Sequence, residues 1–210
     1  MSSIPRWFTE TPEGNSQRYV DRFRELAAQG ADLDGEARLI DAMVARGSRI
    51  LDAGCGSGRT GAALAARGHR VVGVDADQVL ITAACEDYPG VDWLVADLVD
   101  LDLAGHGLPE QFDCVVAAGN VLAYVEAGTE VRVLERLRAH LAPGGRAVMG
   151  FQVGRYPLAD FDRHVRASGF RLEQRFATWD LLPWTPGAEF AVSVLGIPVD
   201  EDADSVGADI

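Results

Sequence analysis

The feature that most constrains this chain is the run Leu51-Asp52-Ala53-Gly54-Cys55-Gly56-Ser57-Gly58-Arg59-Thr60-Gly61. It follows a short apolar stretch, residues 49–53, that reads as a buried strand. It leads into the alanine-rich residues 59–67, which read as a helix. Glycines at such a turn permit positive φ and let another molecule approach the backbone closely. The amides at the start of the helix then face a polar or anionic group.

The rest of the sequence repeats this alternation. Residues 70–74, 93–96, 112–117 and 146–151 have strand texture, the last after the turn Pro143-Gly144-Gly145. Residues 77–85, 130–141 and 158–167 have helical texture. Alternating strands and helices predict a parallel sheet covered on both faces. Residues 171–178 and 190–195 are strand-like with no helix between them, which predicts an antiparallel pair at one edge. Ahead of the first strand, the spacing of Tyr19, Phe23, Leu26 and Ala27 predicts a helix over 16–30, and a second is expected over 34–45. Residues 1–15 carry Pro5, Pro12 and Gly14 without periodicity and are expected to be an irregular arm. The 210 residues fit one domain: a cap over 1–47, a core over 48–196 and an acidic tail over 197–210, expected to be disordered.

Composition excludes several chemistries. All 19 basic residues are arginine, against 32 acidic residues, for a net charge of −13. Without lysine there is no Schiff base, no phosphate-loop lysine and no Tyr-Lys hydride-transfer pair. The negative charge repels phosphate backbones and anionic lipids at long range, so nucleic acid and membrane surfaces are not expected partners. Three cysteines make no disulfide framework, and the expected location is the cytoplasm. There is no apolar run long enough for a membrane span and no secretory h-region at the start.

The glycine loop has a partner. Asp75 ends the second strand, about 20 residues after the loop, where such folds hydrogen-bond ribose hydroxyls. Loop and acid together imply a nucleoside ligand. Gly56-x-Gly58-x-x-Gly61 also satisfies the dinucleotide pattern formally. Against that reading, the glycines begin at Gly54, Asp52 precedes them, and two helices stand before the first strand.

In this setting the chain resembles the class I, Rossmann-like, S-adenosylmethionine-dependent methyltransferases over roughly residues 16–195. The resemblance rests on Leu51–Gly58, on Asp75, on Ala96-Asp97-Leu98 at the end of the third strand, and on Leu141-Ala142-Pro143-Gly144-Gly145, in that order. It implies a three-layer, doubly wound, seven-stranded sheet of order 3-2-1-4-5-7-6, mostly parallel with an antiparallel last strand. It also implies a cofactor, S-adenosylmethionine. Gly54, Gly56 and Gly58, with Cys55 between them, would pass by its methionine part. Asp52 would orient the loop or reach the amino group through water. Asp75 would accept the ribose hydroxyls, Ala76 would touch the adenine, Asp97 would accept from the adenine amino group, and Leu98 would offer its amide to a ring nitrogen. Leu80 is either an adenine contact or a core residue.

Methyl transfer from a sulfonium needs alignment more than a base, so no sharp catalytic motif is required. Asn120, after the fourth strand, is the candidate catalytic or cofactor-positioning residue, with turn capping as the alternative. It is followed by Val121-Leu122-Ala123-Tyr124 and not by the prolines that amino-methylating nucleic-acid members carry at this point. Tyr19 and Arg22, one turn apart, are candidates to face the cofactor, and Arg22 is alternatively a solvated arginine. Trp7 and Phe8 are candidates for a lid. Trp179, Asp180 and Trp184 either line an acceptor pocket or pack the core. The four histidines have no metal-ligand spacing, and His106 is the one worth mutating. The expected partner is a small-molecule acceptor. A dinucleotide-dependent oxidoreductase and a non-catalytic S-adenosylmethionine-binding protein are the alternatives.

Overall fold

A computed structural model describes residues 4–198. Its seven strands are β1 (Arg49–Ala53), β2 (Arg70–Asp75), β3 (Asp92–Val95), β4 (Phe112–Ala117), β5 (Leu141–Gln152), β6 (Arg171–Phe176) and β7 (Phe190–Gly196). They form one sheet of order β3-β2-β1-β4-β5-β7-β6. β1 pairs in parallel with β2 and β4, and the parallel ladder continues to β3 and β5. β7 runs antiparallel between β5 and β6. The expected order and the antiparallel last strand are both present.

Alternation along the strands separates two cores. Leu51, Val72, Val115, Ala147 and Met149 face one side, where α7 (Glu130–Ala139) and α8 (Leu158–Ala167) supply Leu134, Leu137 and Phe161. Ile50, Val71, Cys114, Val116 and Val148 face the other, under α3 (Gly35–Met43) and α4 (Arg59–Ala66). Each fully buried Leu or Phe in these layers contributes about 1.5–3 kcal/mol. A third, smaller cluster joins Val20 of α2 (Asn15–Ala28) to Leu80 and Ala83 of α5 (Gln78–Asp87), fixing the cap against the second βα unit.

Three departures from the sequence reading matter. The arm over 1–15 is not wholly irregular: Arg6–Glu10 form a short helix, α1. Five residues are too few to show periodicity and too few to be stable alone, so tertiary contacts hold this turn. Arg6 donates to the Val125 carbonyl at 2.8 Å and pairs with Glu130 at 2.9 Å. Second, β5 begins at Leu141, and the Pro143-Gly144-Gly145 segment is an irregularity inside it, where the register against β4 shifts between Phe112 and Cys114. Third, a single helical turn, α6 (Val121–Tyr124), follows β4. Of the expected acidic tail, Ile197 packs on the core, and residues 199–210 lie outside those described.

Trp179 and Trp184 pack on opposite faces of the sheet. Trp179 covers Gly150 so closely that any side chain there would overlap its indole. Neither tryptophan reaches the cleft described next. No helix among the described residues is long and apolar enough to cross a membrane.

Candidate functional site

A cleft opens at the carboxyl ends of β1, β2, β3 and β4. Gly54, Gly56, Asp75, Ala76, Asp97 and Leu98 line one side. Trp7, Tyr19, Gly119, Val121 and Tyr124, from the cap and the segment after β4, line the other, and Leu80 of α5 completes the lining. The topology makes this convergence unavoidable, because adjacent parallel strands deliver their following loops to one edge.

The glycine turn is fixed by geometry. Gly54 has φ +73°, and a Cβ there would sit 2.6 Å from the Val121 methyls. Gly56 has φ +57°, and a Cβ would sit 3.2 Å from the Tyr19 hydroxyl. Gly54 therefore requires glycine twice over, by conformation and by space, whereas at Gly56 the conformation decides and the space is only tight. Gly58 differs: it caps α4, and its neighbours are Ala84 and the Trp93 indole, each 2.9 Å from an added Cβ. It is a packing glycine behind the turn and does not line the cleft.

Asp75 accepts from the Gly56 amide and the Asp77 amide, both at 2.9 Å, one at each carboxylate oxygen. Each oxygen keeps a further lone pair, enough for a vicinal diol. Burial pushes its pKa up to about 6, against the lowering effect of those amides. Asp97 accepts from the Val99 amide at 3.1 Å through Oδ1, while its buried Oδ2 has no partner. A buried unpartnered carboxylate oxygen at a cleft wall can accept a hydrogen bond from a ligand donor.

Asp52 has another setting. Strand alternation turns it to the α4 side of the sheet, with Ile50. Its Oδ2 lies 3.0 Å from where a Gly61 side chain would start, and that oxygen too is unpartnered. Burial pushes its pKa up to about 7, partly offset by the Gly61 amide. It sits beneath the helix that the loop enters, and not on the cleft wall. Cys55 is also turned inward: its sulfur is buried beside Gly73, and burial holds its thiol well above the ordinary range.

The cap closes the opposite wall. Trp7 donates to Asp77 Oδ2 at 2.7 Å, and Ser16 donates to the same oxygen. Asp77 also accepts from the Val79 amide, capping α5. Trp7 meets Tyr19 and Tyr124 edge to face, with centroids 6.1 and 5.4 Å away. Burial raises the Tyr19 pKa to about 12, so its hydroxyl stays protonated. Phe8 is exposed, and Arg22 is exposed above the Phe23 ring, away from the cleft. Asn120 has φ +71° and caps α6. Its Oδ1 accepts from the Gln152 amide at 2.7 Å, which ties the exit of β4 to that of β5. The side chain does not line the cleft.

Sequence reasoning missed Asp77 and Tyr124. Asp77 had a local signal, an acid placed to cap the helix after β2. Tyr124 had none, since only the fold brings it to Trp7. His106 lies exposed in a short turn, outside the cleft. No group of three or more metal-ligating side chains occurs among the described residues.

The pieces fit S-adenosylmethionine: a glycine cradle open to close approach, a carboxylate with lone pairs for a diol, and an orphan acceptor at the next strand end. Comparison with known proteins agrees. Residues 50–145 match the family described as "Methyltransferase domain". The crystal structure of a TehB-like SAM-dependent methyltransferase from Corynebacterium glutamicum is 41% identical, with a TM-score of 0.83. The match covers 89% of this chain and 100% of that one. Magnesium-protoporphyrin O-methyltransferase of Rhodobacter capsulatus is 36% identical over 59% of this chain and 55% of its own length. The mitochondrial ubiquinone biosynthesis O-methyltransferase of Schizosaccharomyces pombe is 31% identical over 62% of this chain and 53% of its own. The chain thus spans about half the length of the curated relatives it matches. Another relative is named a ribosomal RNA small subunit methyltransferase C, from Chromohalobacter salexigens. Sheet order, glycine cradle and likeness along the whole of a solved relative lead to one conclusion: this chain belongs to the class I S-adenosylmethionine-dependent methyltransferases, whose cofactor is S-adenosylmethionine.

Proposed function

We propose that the protein transfers the methyl group of S-adenosylmethionine to a small-molecule acceptor by in-line displacement. The observation that carries this reading is the placement of Asp75 and the orphan Asp97 Oδ2 at neighbouring strand ends, beside a glycine cradle that lines the same cleft. In this assignment Gly54 and Gly56 pass by the methionine part. Asp75 accepts the ribose hydroxyls, Ala76 and Leu80 flank the adenine, Asp97 accepts its amino group, and the Leu98 amide faces a ring nitrogen. Tyr19 closes the cradle, and Asp52 acts from beneath, through the α4 amides or a water. Arg22, Cys55 and Gly58 have no contact role. The cofactor supplies a methyl group on an already activated leaving group. The chain's own contribution is alignment and exclusion of water by Trp7, Tyr19 and Tyr124.

The names of the porphyrin and quinone-biosynthesis relatives support a small acceptor. An RNA acceptor is the second reading, favoured by the ribosomal relative; the net charge of −13 opposes it. The three free cysteines support a cytoplasmic location. We take the chain as one domain, with residues 1–47 as the cap.

Isothermal titration with S-adenosylmethionine, S-adenosylhomocysteine and NAD tests this. Binding of both sulfur nucleosides, lost in Asp75→Ala, is expected. Tighter NAD binding would promote the oxidoreductase. Cofactor binding without S-adenosylhomocysteine release across small-molecule and RNA panels would promote the non-catalytic binding protein.

A further inference from the structure

Arg155, bonded to cleft-lining Tyr124, is a cation that pairs with no carboxylate among the described residues. Arg155 stands just beyond the end of β5. Its Nε donates to Gln152 Oε1 at 2.8 Å, and its Nη1 donates to the Tyr124 hydroxyl at 2.9 Å. The guanidinium lies over the Tyr124 ring, 5.7 Å from its centroid. Tyr124 lines the cleft and packs on Trp7, so its hydroxyl holds this exposed guanidinium beside the cleft, next to the lining residues. Gln152 is itself held by Asn120 through its backbone amide. Asn120, Gln152, Arg155 and Tyr124 thus form a chain linking the exits of β4 and β5.

The bonding leaves a charge available. Both anchors of Arg155 are neutral, Nη2 has no hydrogen-bond partner among the described residues, and Arg155 takes part in no ion pair among them. The other arginines near the cleft are different. Arg6, beside lining residue Val125, is paired with Glu130 at 2.9 Å. Arg59, at the start of α4, is paired with Glu36 at 2.6 Å. A guanidinium held by neutral acceptors keeps its charge and its planar fork. In a chain of net charge −13, whose diffuse field repels anions, a small anion needs a local cation of this kind.

We propose that Arg155, oriented by Tyr124, binds the methyl acceptor, and that the acceptor carries a carboxylate or a similar planar oxyanion. This rests on the methyltransferase reading and adds the substrate class to it. Asn120 is then a positioning residue: it fixes the strand end that carries Gln152, and so the angle of the guanidinium.

The test uses the whole protein saturated with S-adenosylhomocysteine. Sodium benzoate and, separately, benzamide are titrated at constant ionic strength. The Gln152 backbone amide and the Arg155 Nε–H are followed by NMR. Benzoate is expected to shift both saturably, with benzamide about tenfold weaker or worse. Arg155→Gln, a change at an exposed position, removes the preference while S-adenosylhomocysteine affinity is unchanged; Arg155→Lys keeps part of it. Equal responses to the two probes, no saturable shift, or a benzoate preference that survives in Arg155→Gln would each overturn the proposal. Failure of S-adenosylhomocysteine to bind wild-type protein would instead overturn the methyltransferase reading.

Discussion

The two walls of the cleft are built in different ways. The wall from β1, β2 and β3 is made of backbone and short acids: Gly54, Gly56, Asp75 and Asp97 project from consecutive strand ends. Its contacts are local or cross one strand pair, such as the Gly56 amide on Asp75. The facing wall is made of large side chains gathered from distant places. Trp7 comes from the arm, Tyr19 from α2 and Tyr124 from α6, and Arg155 bonds to Tyr124 from beyond β5. One wall can hold a cofactor shared by a whole family with little freedom to vary. The other can change its acceptor through side chains that carry no part of the sheet. The difference suggests that damage to the first wall is absolute, whereas damage to the second is graded.

The largest effect expected is at the cradle. Gly54→Ala forces a methyl onto Val121 at a positive φ, which costs about 2–4 kcal/mol. Chemical denaturation should read that loss, and calorimetry should show no S-adenosylmethionine binding. Near-normal binding in this variant would break the distinction between the walls.

Asp52 tests the support beneath the same wall. Its folded pKa is about 7 against an ordinary 3.8, so the folded state holds a proton that the unfolded chain has lost. Stability from this source is full below pH 3.8 and falls as pH rises through about 7. Urea melts of the cofactor-free protein from pH 4 to pH 8 should therefore show a downward contribution on the order of a few kcal/mol, absent in Asp52→Asn.

Asp75 gives the opposite sign in binding. Ribose hydroxyls donate to its ionised form, so S-adenosylmethionine affinity should rise as pH passes through about 6. Asp75→Asn should bind about a hundredfold more weakly at pH 8, with a flat profile. A profile that stays steep in the variant would locate the titration elsewhere.

The smallest effect belongs to the support behind the facing wall. Asn120→Ala loses the bond to the Gln152 amide and keeps a side chain at φ +71°, which costs about 1–2 kcal/mol. Asn120→Gly relieves the backbone and should restore most of the stability. Because it still releases the end of β5, turnover of any acceptor should fall with S-adenosylmethionine affinity intact. Turnover recovering together with stability would reduce Asn120 to a turn cap.

Much of this protein was legible without coordinates because its information is local. The glycine turn, Asp75 and Asp97 announce themselves within a few residues of a strand end, where backbone geometry decides what is allowed. Alternating texture then sets the sheet, since helical crossovers leave parallel pairing as the accessible arrangement. Tertiary structure alone decided the rest. The arm forms a helix because Arg6 and Trp7 find Val125, Glu130 and Asp77, partners 70 to 124 positions away. Gly58 proves to be a packing residue because Trp93 fills the space behind it. Asp52 turns from the cleft because strand alternation points it at α4. Tyr124 and Arg155 meet because β4 and β5 are neighbours, 31 positions apart in the chain. Side-chain contacts across such separations are set by which elements the fold makes adjacent, and no short segment of sequence encodes them.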